Sequence, residues 1–318
     1  MFRRWLSSFW RDNKEKITKL AKVFGLLILI SIVAAIVFSS LSPNENNQNN
    51  NEIKIYNPDK TIISGGNISE KQYEEENNII KTFVDYCNEQ NTKEAYNLLS
   101  QECKDRLYPT LQDFENKYYK IIFQAKRQYN IQSWVNENRY STYKVRFTDD
   151  FMSTGNYDDT EKYEDYITIV TDEKNYDNKK ININSYVKTE NLTKETKTDK
   201  LETKAISVDT YMEYVICTVR FKNTTDKDIL LDTLNNSETI KLIGSNGTSY
   251  KLDTMNLRVI DLRIEANKEK DITLKFKKQH GSDVGCNSID FKRVITDYTE
   301  YNRDSQNYER FEDVSISL

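Results

Sequence analysis

The chain of 318 residues is 37% hydrophobic and 30% charged, with a mean hydropathy of −0.77, so most of it faces water. Its 21 tyrosines are too many for a wholly disordered chain, and a single histidine, His280, excludes multi-histidine metal sites and leaves base-assisted nucleophile chemistry to one residue. The length allows about two domains beside a tail or membrane segment.

Residues 1–22 hold seven bases against two acids. Phe2, Trp5, Leu6, Phe9 and Trp10 fall on one side of a helical wheel, the pattern of a cytoplasmic amphipathic leader lying in a membrane interface. From Val23 to Leu41 no residue is charged, and at about 1.5 Å per residue the run matches a hydrocarbon core of about 30 Å. With the bases before it and PNENNQNNNE after it, positive charge predicts a single-pass transmembrane helix with the N-terminus cytoplasmic and the bulk of the chain outside the cell membrane. Residues 23–318 carry 39 bases against 48 acids, so the exterior is acidic and no direct nucleic-acid partner is expected.

Residues 42–69, Asn-rich with Pro43, Pro58, Gly65 and Gly66, read as a flexible tether. Ser69 followed by Glu70, Glu74, Glu75 and Glu76 marks a helix start, and Ile79, Ile80, Phe83, Val84 and Cys87 form its apolar stripe. A second helix is predicted from Ala95 to Leu107, stopped by Pro109, and a third, capped by Thr110, over LQDFENKYYKIIFQAKRQY. After Asn130 the period becomes two, through YNIQSWVNE, STYKVRFTDDF, KYEDYITIVTDE and KININSYVKTE.

The phrase NNIIKTFVDYCNEQNTKEAYNLLSQECKDRL, followed by a helix and a sheet closing with DNKKININSYV, resembles the nuclear transport factor 2-like fold, a cone of helices wrapped by a bent sheet, over residues 70–188. Membrane-anchored bacterial relatives of that shape include the non-catalytic N-terminal domain of resistance-type penicillin-binding transpeptidases and the core subunits of type IV secretion and conjugation machines. The resemblance implies a domain without its own catalysis, since enzymes of that fold place Asp/His pairs in the cone and this segment has no histidine.

Residues 189–203 lack an apolar period and read as a linker. The alternating strands of 204–298, with an Asn246-Gly247 turn, predict a β-sandwich. LRIEANKEKDITLKFKK resembles the late strands of immunoglobulin-like modules on bacterial surface proteins. Residues 299–318 are left as a tail or an edge strand. The expected fold class is therefore α+β plus all-β: a transmembrane helix, a nuclear transport factor 2-like domain and an immunoglobulin-like sandwich.

Several residue groups invite chemistry. Ser141 and Lys144 form an S-x-x-K string, but it sits in an alternating strand with no K-T-G partner, and Cys286 with Arg293 has the arginine spacing of a sortase but lacks the T-L-x-T-C phrase, with His280 too close before the thiol. The acidic run Tyr157 to Asp165 lacks a calcium-loop pattern. No catalytic residue, cofactor or metal is expected. Cys87 with Cys103, and Cys217 with Cys286, fall two per predicted domain, which allows two disulfides or four small buried hydrophobes. Tyr118, Trp134 and Tyr143 could line an aromatic pocket in the cone. The expected function is a non-enzymatic module that holds protein partners at the cell envelope, in a conjugation or type IV secretion setting and with oligomers allowed. Its rival is a receptor for a small apolar or glycan ligand in the aromatic cone.

Overall fold

The computed structural model describes residues 64–137, 139–149, 162–172, 174–175, 178–236, 238–278 and 285–318. Residues 57–318 cluster as one compact unit.

The first half opens with β1 (Ser64–Gly65) and α1 (Glu70–Asn88). Ser69 caps α1 as its side chain accepts from the Gln72 amide at 3.2 Å, and Ile80, Phe83, Val84 and Cys87 form the buried stripe. Short helices follow: α2 (Thr92–Leu98), α3 (Gln101–Leu107) capped by Ser100, α4 (Leu111–Phe114) capped by Thr110, a π-helical turn (Glu115–Tyr119) and α5 (Lys120–Ile122). They cover a sheet ordered β1-β2-β3-β4-β5, built from β2 (Arg127–Glu137), β3 (Tyr140–Asp149), β4 (Lys162–Thr171) and β5 (Lys179–Asn182). Only β1 pairs in parallel, and it does so closely: a Cβ on Gly65, at φ +100°, would lie 1.8 Å from the Asn136 carbonyl oxygen.

The chain then leaves that sheet. Asn184 and Ser185, both with positive φ, turn it into β6 (Tyr186–Asn191). With β7 (Glu195–Lys197), β8 (Leu201–Tyr211), β9 (Tyr214–Asn223) and β14 (Glu269–Lys277), β6 forms a second sheet ordered β14-β9-β8-β6, with β7 also on β8. A third sheet is ordered β12-β11-β15-β10-β13, with β16 on β15. Its strands are β10 (Ile229–Leu230), β11 (Ile240–Gly244), β12 (Ser249–Lys251), β13 (Arg263–Ile264), β15 (Cys286–Ile295) and β16 (Phe311–Ser317). The second and third sheets enclose one core that includes Phe221, Leu242, Leu274, Phe276, Phe291 and Ile316. A last helix, α6 (Tyr298–Arg303), precedes β16.

Four expectations are corrected. The α+β cone followed by a separate sandwich gives way to a mainly β unit, because β6, expected to close the cone, pairs with β8 of the next sheet instead. The third helix also ends at Ile122 rather than running through QAKRQY, since β-period sequence begins at Arg127. Residues 189–203 are not a linker: Thr189, Glu190 and Asn191 pair with β8, as does β7. The fourth correction concerns the single-pass membrane protein with its bulk outside the cell. Among the described residues no helix is long and apolar enough to cross a membrane, and the leader and Val23–Leu41, on which that reading rested, lie outside them.

Between the halves the packing is continuous. Val135, Tyr166, Val187 and Met212 form a small cluster with Trp134 and Tyr140, while Tyr211 joins the helix-and-sheet core. At the corner Asp165, 3% exposed, accepts from the Tyr118 hydroxyl at 2.7 Å and from the Asn184 and Ser185 amides, each at 2.9 Å. That carboxylate holds the two left-handed residues that send the chain from one sheet to the next.

Candidate functional site

The aromatic residues expected to form a pocket are not brought together. Tyr118 and Tyr143 are buried in the helix-and-sheet core, where Phe83, Phe114, Tyr108 and Phe123 pack around Tyr118 with ring centroids 5.8 to 6.4 Å apart. Tyr143 donates its hydroxyl to buried Glu76 at 2.7 Å, a carboxylate also met by Lys179 at 3.4 Å. Trp134 sits on the sheet's other face against Tyr166, ring centroids 5.7 Å apart. Aromatic side chains fill the space that a small apolar ligand would need.

Each of the other candidates has a structural role. Ser141 donates to the Asn136 side chain at 3.1 Å, whereas Lys144 pairs with Glu164 at 2.9 Å and lies over Trp134. They do not act on one another. Of the acidic run, Glu164 is in that ion pair, Asp165 is buried at the corner, and 157–161 lie outside the described residues. His280 lies outside them too. Cys87, Cys103 and Cys217 are buried thiols outside any disulfide, and Cys286 is half-buried. Burial pushes Cys103 up to about 12, so it behaves as a small hydrophobe rather than a nucleophile. Among the described residues no group of three or more His, Cys, Asp or Glu could hold a metal ion.

A cleft of about 610 Å³ lies instead where α3, the ends of β4 and β5, the β2–β3 turn and β6 meet. Its floor is Leu99, Val170 and Tyr140; Ser100, Asn178 and Thr189 offer hydrogen bonds. Four cations line it: Lys104, Arg139, Lys174 and Lys180. Lys104 is brought in by the α3 cap, in which the Ser100 side chain accepts from the Cys103 amide at 3.0 Å. Lys180 is fixed by β5, its ammonium donating to the Asn97 carbonyl at 3.1 Å. Arg139 donates from Nε to the Thr171 carbonyl at 3.1 Å and lies 5.8 Å from the Tyr140 ring centroid.

Two carboxylates, Glu102 and Asp172, face these cations. Burial pushes Glu102 above the usual carboxylate range against hydrogen bonds from the Thr189 backbone and the Tyr186 hydroxyl, which weakens its charge. Asp172 is pulled below that range, first by the Lys174 amide. Lys104 is lowered by burial and then by the nearby positive charge of Lys180, so the two ammoniums repel one another. Among the described residues none of Lys104, Lys174 and Lys180 pairs with a carboxylate, whereas lysines elsewhere do: Lys117 with Asp113 at 2.6 Å, Lys222 with Glu202 at 2.9 Å, Lys292 with Asp313 at 2.8 Å. In a chain of net charge −4, three lysines without carboxylate partners among the described residues line one cleft of about 610 Å³. The sequence gives no period or motif that would bring Lys104, Arg139 and Lys180 together; only the KK pair at 179–180 flanks a visible turn.

No protein-family model matches the chain, and no curated protein matches it. Solved structures similar to it include a functionally unknown protein from Listeria monocytogenes EGD-e (11% identity, 40% of this chain and 82% of that one, TM-score 0.26). The yjhA protein from Bacillus subtilis is another, at 11% identity over 40% of this chain and 98% of that one, TM-score 0.26. A conserved hypothetical protein from Bacillus anthracis matches at 11% identity over 41% of this chain and 90% of that one, TM-score 0.23. At these TM-scores the likenesses carry no argument about fold or function, and the chemistry of the cleft stands on its own residues.

Proposed function

We propose that the protein is a non-enzymatic binding module whose cleft between α3, β5 and β6 takes an acidic segment of a partner protein. The observation that supports this most is the set of three lysine ammoniums left without carboxylate partners in one cavity of about 610 Å³. That volume lies within the range of about 300 to 1,000 Å³ typical of ligand sites. An anion seated between Lys104 and Lys180 relieves their repulsion and replaces water on two already half-desolvated cations. The acidic surface elsewhere repels nucleic acid, while a short acidic peptide contacts only the cleft. Against the rival reading, an apolar or glycan ligand in an aromatic cone, Tyr118 and Tyr143 are packed in the core and Trp134 lies on the sheet's other face.

A fluorescent glutamate-rich peptide titrated into the protein tests this. Saturable binding is expected, weakening by about tenfold between about 50 and 300 mM salt as exposed charge pairs are screened. Replacing Lys104, Lys174 and Lys180 together with Gln is expected to weaken it by at least about tenfold, with an unchanged melting temperature because none of the three sits in an ion pair. Absence of saturable binding, equal binding by the triple variant, or equal binding of a single-stranded oligonucleotide of the same charge would refute the reading.

A further inference from the structure

A second cavity, of about 150 Å³, lies at the other end of the molecule among the loop after β10, the bulge in β15, α6 and β16. Asp232 is its innermost charge, 4% exposed. One of its oxygens accepts from the Leu234 amide at 2.5 Å, and the Thr239 hydroxyl, which reaches the Asn236 carbonyl at 2.7 Å, also steadies the carboxylate by hydrogen bonding. A carboxylate with about four lone-pair sites can accept a further donor from the cavity beside these two. Burial pushes it above the ordinary carboxylate range, against the pull of the Thr239 hydroxyl, the Leu234 amide and the Arg293 guanidinium.

Arg293 supplies the opposite charge at the mouth. It sits in the β-bulge between Phe291 and Val294 with φ +68°, a conformation that costs a non-glycine residue energy and re-aims its side chain out of the strand alternation. Its backbone amide donates to Asp313 at 3.3 Å, and its guanidinium lies 4.3 Å from the Phe311 ring centroid. Among the described residues no carboxylate pairs with that guanidinium. Leu234, on the facing loop, is likewise left-handed at φ +60°. Two strained residues thus flank one cavity that has a buried anion at its base and a stacked cation at its rim.

We propose that this cavity binds a small zwitterion of the size of a free α-amino acid, its ammonium on Asp232 and its carboxylate on Arg293. A volume of about 150 Å³ holds a molecule of roughly six heavy atoms. Neither charge alone explains the arrangement: a lone cation would meet Arg293 at the entrance, and a lone anion would meet Asp232 inside. The amides of Asn235 and Asn236 and the ring of Tyr301 complete the lining. This site is separate from the lysine cleft and does not depend on it.

Ligand-observed NMR with the full chain tests the proposal, using alanine, propionate, which lacks the ammonium, and ethylamine, which lacks the carboxylate. Alanine is expected to bind saturably, and each analogue at least about tenfold more weakly, the worth of one charge-assisted hydrogen bond. Arg293→Gly is expected to keep the fold, because glycine adopts positive φ without strain, and to weaken alanine binding by at least about tenfold. Asp232→Asn is expected to do the same, with the loop still closed by an amide oxygen. Failure of alanine to saturate, equal binding of the three compounds, or wild-type affinity in folded Arg293→Gly would overturn the assignment.

Discussion

Asp165→Ala is expected to destabilise the protein by about 4 kcal/mol, read as a fall of roughly 12 °C in the melting temperature. The substitution strands three donors at once: the buried Tyr118 hydroxyl and the part-buried Asn184 and Ser185 amides. Each stranded donor costs about 1 to 3 kcal/mol. The loss is concentrated at the corner where the chain passes from β5 to β6, so proteolysis of the variant is expected to begin near residues 183–186. Asp165→Asn keeps an acceptor for the amides and should cost about half as much. The pH dependence has a definite sign. Burial raises the carboxyl in the folded chain, so the fold binds a proton that the unfolded chain has already released. The advantage of wild type over Asp165→Ala therefore shrinks as pH rises from the ordinary carboxylate range through the raised value. An advantage that grows over this window would show that the carboxylate is held ionised instead.

Phe291→Ala should be as damaging from the opposite side. Phe291 on β15 meets Phe221 on β9 edge to face, ring centroids 5.7 Å apart at 88°, and both are fully buried between the second and third sheets. Truncating a buried phenylalanine costs about 3 to 5 kcal/mol in lost transfer energy and a residual cavity. Because Tyr211 packs into the first core and Val187 and Met212 bridge the halves, this variant and Asp165→Ala are expected to lower one common unfolding transition, seen by calorimetry. Two separated transitions, each moved by only one variant, would mean that the halves unfold independently.

Local signals in the sequence marked much of the secondary structure. Ser69 and Thr110 cap helices as read, and the stripe Ile80, Phe83, Val84 and Cys87 is the buried face of α1, but the single helix expected from Ala95 to Leu107 is two, with Ser100 capping the second. Period-two alternation after residue 130 marked the strands, and Asn246-Gly247 lies in the turn between β11 and β12. What the sequence hid was partnership between strands. The segment at 186–191 alternates in the same way whichever sheet it joins, and the choice is made by two left-handed residues and a distant aspartate, none of which has a local signature. The polar composition of 189–203 suggested a linker because edge strands in water look the same as linkers by composition. The aromatic residues were read as a pocket, yet aromatic spacing does not distinguish a filled core from a lined one. The cationic cleft was invisible because its four cations come from three separate stretches of the chain, around Lys104, Arg139 and Lys174–Lys180.

The most direct test of that cleft is lysine acetylation footprinting with and without the glutamate-rich peptide, read residue by residue by mass spectrometry. Lys104, Lys174 and Lys180 are expected to be protected together, while Lys71 and Lys227, outside the cleft, react at unchanged rates. Protection spread evenly over the lysines, or absent from those three, would contradict the proposed function.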